Sequence, residues 1–219
     1  MKPATVALIA MIALTLLAAP AGATMTYYNS QSSWEAATSN VFTIDFNDVV
    51  VPTSPGYIDY STTGLQLHDV TFTANPATAD GIQVGNASPW CYANAFGAGN
   101  YFLCGNTYLA KYFEAALPAN VMAVAMNLLP VTYANPVTLS FSSGDTQVVP
   151  ALPNATPVFA GFVFDEPVSW VKFEADSNFT GMDNFAYSQI TETPEVSTLL
   201  LAGAGLISLL FARRLRRFC

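Results

Sequence analysis

The sequence predicts an all-β fold, an antiparallel β-sandwich, and three observations carry that expectation. Apolar residues recur in about ten short runs, mostly alternating with polar ones, as along strands with one buried face. Pro, Gly and Asn punctuate the runs, which is the chemistry of turns. Strand-like and helix-like segments do not alternate, which argues against a doubly wound sheet.

The elements follow in order. Ser32-Ser33-Trp34-Glu35 has the S-x-x-E spacing of a capping box, and Trp34, Ala37 and Val41 share one face of a short helix. Thr43-Ile44-Asp45-Phe46 alternates, with Ile44 and Phe46 on one side. Leu65 to Phe72 reads as one strand with a slip near Asp69, as a bulge would give. Gly81 to Val84 is a short strand. A strand within Tyr108 to Ala116 ends before Pro118, and Val121 to Leu128 is a separate apolar run bounded by Pro118 and Pro130. Thr138 to Phe141 and Gln147 to Val149 flank Ser143-Gly144-Asp145, a hairpin signal. Val158 to Phe164 and Ser169 to Glu174 are separated by a turn at Asp165-Glu166-Pro167, and Phe185-Ala186-Tyr187 closes the series. Trp34 and Trp170, set among apolar neighbours, are expected in the core.

Both ends fall outside this domain. Lys2, the apolar stretch Val6 to Ala19 and the small residues Ala21-Gly22-Ala23 read as a signal peptide over 1–23, so the mature chain starts at Thr24. The β-sandwich domain then covers 24–190. In the segment 191–219, Val196 to Ala212 is 17 residues without a charge. As a helix it reaches about 25 Å, at the short end of what spans a bilayer. Arg213, Arg214, Arg216 and Arg217 follow it, and the positive-inside rule holds them in the cytoplasm. The domain before them is therefore expected outside.

Thr193-Pro194-Glu195-Val196-Ser197, the uncharged run and the arginines together resemble the PEP-CTERM sorting signal of exopolysaccharide-producing Gram-negative bacteria. The resemblance covers Thr193 to Arg217. Pro194, Glu195 and Ser197 match the usual Val-Pro-Glu-Pro-Ser pattern, and Val196 stands in place of its second proline. The resemblance implies delivery by the Sec translocon, then recognition and cleavage around Pro194-Glu195 by an exosortase-type processing enzyme. The apolar helix would hold the chain in the inner membrane until then, with the arginines fixing its orientation. The short helix, the Ile-Asp-Phe opening strand and the closing Asp183-Asn184-Phe185-Ala186-Tyr187 also resemble the jelly-roll sandwiches of PEP-CTERM ectodomains and carbohydrate-binding modules. In such modules the first and last strands are neighbours and a structural calcium often lies between them. Carried over, that implies Asp45 or Asp48 with Asp183.

Charge excludes some partners. Between Thr24 and Thr193, the two lysines Lys111 and Lys172 stand against fourteen acids, a net charge of −12. Binding a polyanion needs Lys and Arg to neutralise phosphates, so nucleic acid is not a partner. Cys91 and Cys104 have 12 residues between them in the exported part, where a disulfide is permitted. Closing such a loop contributes on the order of 3 kcal/mol. Two buried or metal-binding thiols are the alternative, without C-x-x-C spacing to support a metal site.

No catalytic constellation is legible. His68 is alone in a strand beside Asp69, without a nucleophile or metal motif around it. Asp45, Asp48, Glu114, Asp165, Glu166, Glu174 and Asp183 are the carboxylates that glycoside hydrolysis would draw on, and spacing brings no two of them across a cleft. Asp45, Asn47 and Asp48 near the start, with Asp176, Asn178, Asp183 and Asn184 near the end, offer oxygen ligands for calcium, but as Asx turn residues they have a plainer reading. Trp90, Tyr92, Phe96, Tyr101 and Phe102 cluster around the two cysteines among several asparagines. Trp90, Tyr92 and Tyr101 would suit stacking on a glycan, and sheet packing uses such residues too.

The expectation is a non-enzymatic exported protein of the cell surface or exopolysaccharide matrix, without cofactors unless a structural calcium is held. The alternative is a membrane-anchored carbohydrate-binding or carbohydrate-active module.

Overall fold

The structure, a computed structural model, describes residues 24–75, 81–86, 96–107, 112–130, 136–150, 152, 156–175 and 179–189. The strands are β1 (Met25–Tyr28), β2 (Val41–Ile44), β3 (Tyr57–Asp59), β4 (Leu65–Leu67), β5 (Val70–Asn75), β6 (Ile82–Gly85), β7 (Phe102–Asn106), β8 (Tyr112–Pro130), β9 (Val137–Phe141), β10 (Thr146–Val149), β11 (Val158–Ala175) and β12 (Phe179–Gln189), with one helix, α1 (Gln31–Ala36), after β1. Among the described residues the fold is therefore all-β, and its strand pairs are antiparallel. No described helix is long and apolar enough to cross a membrane. The segments 1–23 and 196–212 lie outside the described residues.

The sheet runs β10-β9-β11-β8-β12-β7-β6-β3, with β1 on β11, β2 on β12 and the β4–β5 hairpin on β8. Two strands organise it. β8 has 19 residues and β11 has 18, and they pair twice. Tyr112–Ala116 of β8 meets Trp170–Glu174 of β11, and Val121–Leu128 meets Val158–Val168, with register shifts between Val163 and Val168 and between Val168 and Trp170. Pro118, Pro167 and Asn120 (φ 63°) fall in this break. Proline has no N–H to give a ladder, so it is placed where the ladder is interrupted and the strands bend.

This corrects the reading of the prolines as strand ends. Pro118 does not separate two runs, and Asp165-Glu166-Pro167 is not a reversing turn. Both lie inside continuous strands that pass around a corner.

Past the corner the two halves of the sheet face each other. Phe141 of β9 lies 4.8 Å from Phe162 and 4.9 Å from Phe164, both on the first part of β11. Phe72 of β5 meets Phe185 of β12 edge-on at 5.4 Å. Val70, Phe72, Phe113, Val124, Met126, Phe162, Phe173 and Phe185 are all fully buried in this core. Ile44 and Phe46 are both buried as expected, but β2 ends at Ile44 and Phe46 follows it in a left-handed turn with φ 61°. The predicted hairpin forms as β9 and β10, turning at Gly144 with φ 91°.

Other expectations change. Leu65 to Phe72 is not one bulged strand but the β4–β5 hairpin, with His68 (φ 51°) and Asp69 as its turn. The register Leu67 to Val70 and Leu65 to Phe72 puts the four apolar residues on one face, which single-strand alternation cannot do. His68 is exposed and sits 3.9 Å from Asp48. β1, β3 and β7 are strands that the sequence pattern did not single out.

The first half-sheet, made by the start of β11, the second part of β8, β12 and β2, carries α1 on its outer face. Ser30, which precedes it, makes no side-chain cap, and Glu35 accepts from the Gln31 amide at 2.7 Å, so the S-x-x-E pattern is not a capping box. Val41 belongs to β2 and not to the helix face. What fixes α1 is Trp34, 2% exposed on Ala123, Ala125 and Ala186, with its indole N–H donating to the Phe162 carbonyl at 3.1 Å. Trp170, in contrast, is only half-buried. The indole lies directly over Gly161, where an added Cβ would meet Trp34 Cδ1 at 2.7 Å.

Gly161→Ala is therefore expected to displace the indole, at a cost of about 1–3 kcal/mol typical of overpacking. Denaturant unfolding checks the loss, and a red-shifted tryptophan emission checks the displacement.

Candidate functional site

The edge of β12 is completed by two different strands. Phe179–Met182 pairs with β7 and Phe185–Ser188 pairs with β2. Asp183 and Asn184 fall in the gap between them. On the other edge of β12, Asp183 lies opposite Asn127 of β8, and a register shift between Asp183 and Ala186 marks a bulge. Asn184 takes the left-handed conformation there, with φ 51°. Asparagine tolerates this region better than most residues because its side chain bonds locally.

Asp183 is 2% exposed. Its carboxylate accepts the Asn184 backbone N–H at 2.7 Å, with the Asn184 side-chain amide at 3.4 Å. Burial pushes its pKa up to about 6, against the lowering effect of the backbone hydrogen bond, and the negative charge of Asp45 raises it further. Asp45 follows the last residue of β2, and its own Oδ1 accepts the Asn47 N–H at 3.1 Å. Asn47 Oδ1 in turn accepts the Tyr101 N–H at 2.9 Å, tying the start of β7 to the end of β2.

The structure thus brings together Asp183 and Asp45, a pairing that spacing did not reveal. Asp48 goes elsewhere, to His68. The first and last strands of the predicted series, β2 and β12, are neighbours. Asp45 is near enough for its charge to raise the Asp183 pKa, whereas Asp48 lies against His68. No group of three or more His, Cys, Asp and Glu that would hold a metal forms among the described residues. Asp176 and Asn178 lie outside those residues.

The other carboxylates have ordinary roles. Asp165 Oδ2 accepts from the Thr24 hydroxyl and N–H. Glu174 pairs with Lys172 at 2.8 Å, and Lys172 lies over the Tyr112 ring. Glu166 is exposed. Of the aromatic cluster, Tyr101 is half-buried and Phe102 is fully buried. Phe96 packs on Phe102 at 5.1 Å and lies over Gly181, where an added Cβ would meet its Cε2 at 3.2 Å. Cys104 is fully buried in β7. Trp90, Tyr92 and Cys91 lie outside the described residues, as do Pro194, Glu195, Ser197 and the four arginines. Sequence reasoning missed Asn127, whose signal was a lone amide inside the apolar run Val121 to Leu128.

The raised pKa has a stability consequence of definite sign. The folded state holds the Asp183 proton up to about pH 6, while the unfolded chain loses it near 3.8. Stability is therefore highest below about pH 4 and falls as pH rises to about 6, by up to roughly 3 kcal/mol from this group. Asp183→Asn keeps an acceptor for the Asn184 N–H without the charge. It is expected to remove that pH dependence and raise the melting midpoint at pH 7, as read by calorimetry between pH 4 and 7.

No family model matches the chain, and no curated protein matches it. Among solved structures, the enzymatically active domain of tailspike protein 4 from bacteriophage CBA120 is similar over 62% of this chain, with 12% identity and a TM-score of 0.34. The match spans 21% of that chain. A likeness this distant assigns neither a fold family nor a chemistry.

Proposed function

We propose that this is an exported, non-enzymatic protein of the cell surface or exopolysaccharide matrix, sorted by a PEP-CTERM-like signal at its C-terminus. The observation that carries the reading is the order of the tail: Pro194-Glu195 and Ser197, 17 uncharged residues from Val196 to Ala212, then four arginines. A membrane-length apolar segment followed by arginines fixes orientation by physical means alone. The Sec translocon carries the domain across, and an exosortase-type enzyme cleaves near Pro194-Glu195. The described strands run from Met25 to Gln189, inside the 24–190 domain that the two terminal signals delimit.

The interior of the domain supports a structural role. Asp183, the carboxyl with a raised pKa, is 2% exposed and out of reach of a bulky substrate. Its pairing with Asp45 suits a structural calcium, as the jelly-roll resemblance implies, and the added charge would offset the desolvation of Asp183. Cys91 and Cys104 pair, fastening the aromatic loop to the buried strand β7. The second reading, a membrane-anchored carbohydrate-binding or carbohydrate-active module, uses Trp90, Tyr92 and Tyr101 on that loop.

Intact mass of the released protein in a host carrying the processing enzyme is expected to lack the segment after the Pro194-Glu195 region. A full-length chain retained in the membrane fraction overturns the sorting reading. Cys91→Ser is expected to lower stability by about 3 kcal/mol in oxidising buffer, and to change nothing once the wild-type chain is reduced. Added calcium is expected to raise the wild-type melting midpoint and leave that of Asp183→Asn in place.

A further inference from the structure

We infer that the outer face of the first half-sheet carries a subsite for a neutral, polyhydroxylated ligand, a single sugar residue. The subsite adjoins Asp183, which pairs with Asn127 and accepts from Asn184, uses neither Trp90 nor Tyr92, and does not rest on the sorting reading. It is an open cleft of about 90 Å³ between α1, β2, β8 and β12. That is small beside the ~300–1,000 Å³ of pockets that enclose drug-sized molecules. It seats one ring and does not bury a chain.

Its making is visible in the fold. Ala125 and Ala186 form an apolar floor, because small residues on β8 and β12 leave a depression beside the Trp34 indole. Phe159, half-buried, borders it 6.3 Å from the Trp34 ring. Two carboxamides stand over this floor. Asn127 is half-buried, and its amide has no hydrogen-bond partner among the described residues. Asn184 is brought to the cleft by the bulge in β12 and the left-handed backbone that goes with it. Bulges of this kind re-aim a side chain, and backbone outliers in non-glycine residues concentrate at binding sites.

The chemistry selects the ligand class. Each carboxamide offers donors and an acceptor, which matches neighbouring hydroxyls that do both. The apolar floor accepts the C–H face of a ring. No Lys or Arg lines the cleft and Glu35 does, so anions are disfavoured.

The test uses the full chain in a detergent without a sugar headgroup. The probes are glucose, galactose, mannose, N-acetylglucosamine and their disaccharides, followed by saturation-transfer NMR and titration. At least one probe is expected to bind with a Kd on the order of 1 mM. Asn127→Ala and Asn184→Gly are each expected to weaken it about tenfold. Glycine suits the φ of 51° at position 184, so that variant keeps the fold, and an unchanged melting midpoint verifies it. Trp90→Ala is expected to leave binding intact. The inference is overturned if no probe binds up to about 50 mM, far above the expected Kd. It is equally overturned if binding survives both asparagine substitutions, or if Trp90→Ala alone abolishes it.

Discussion

The corner in β8 and β11 is the constraint on which the rest of the domain depends. Two strands of 19 and 18 residues serve both halves of the sheet, so neither half has its full set of neighbours without them. Pro118 and Pro167 sit where the ladder between them is broken, and the bend lets the sheet face itself across the Phe141, Phe162 and Phe164 contacts. A long straight pair would leave the apolar faces of both halves in water. The bend turns one sheet into two opposed layers around a common core.

On the outside of the first half, packing is set by small residues. Gly161, Ala123, Ala125 and Ala186 let the Trp34 indole approach the backbone closely enough to donate to the Phe162 carbonyl. One large side chain thereby holds a helix of only 6 residues, which propensity alone would not sustain. Gly181 of β12 plays the matching part under Phe96. The outer face is thus closed at two places by aromatic side chains over glycines, with the Asp183–Asn184 bulge between them on β12.

The all-β character, the β9–β10 hairpin and the burial of Ile44 were legible, because each follows from local alternation and turn chemistry. The long strands were not, since a proline at a corner and a proline at a strand end look alike in sequence. The β4–β5 hairpin was hidden because His68 and Asp69 lack the Asn-Gly or Asp-Gly signature of a two-residue turn. β7 was read only as an aromatic loop, because Gly105 and Cys104 are small residues chosen by close contacts, Gly105 lying under the Phe113 ring. At the site, Asp183 stood among the candidate carboxylates of the sequence, but its burial and its place in the β12 bulge follow only from the strand pairing. Its partner could not be chosen between Asp45 and Asp48 without the path of the chain after Ile44. Asn127 and Asn184 are 57 positions apart, and only the register of β8 against β12 makes them neighbours.

The pairing of β1 with β11 and of β2 with β12 has a temporal meaning. The first strands to emerge from a translocating or synthesising machine have no partners until the last ones follow, more than a hundred residues later. Such non-local pairing makes closure slow, since the loop entropy must be overcome before any contact compensates it. The β4–β5 and β9–β10 hairpins can form locally, but β1 and β2 stay unpaired until the late strands are present. Closure of the outer strands is thereby tied to the arrival of the last part of the domain, whichever way the chain is delivered.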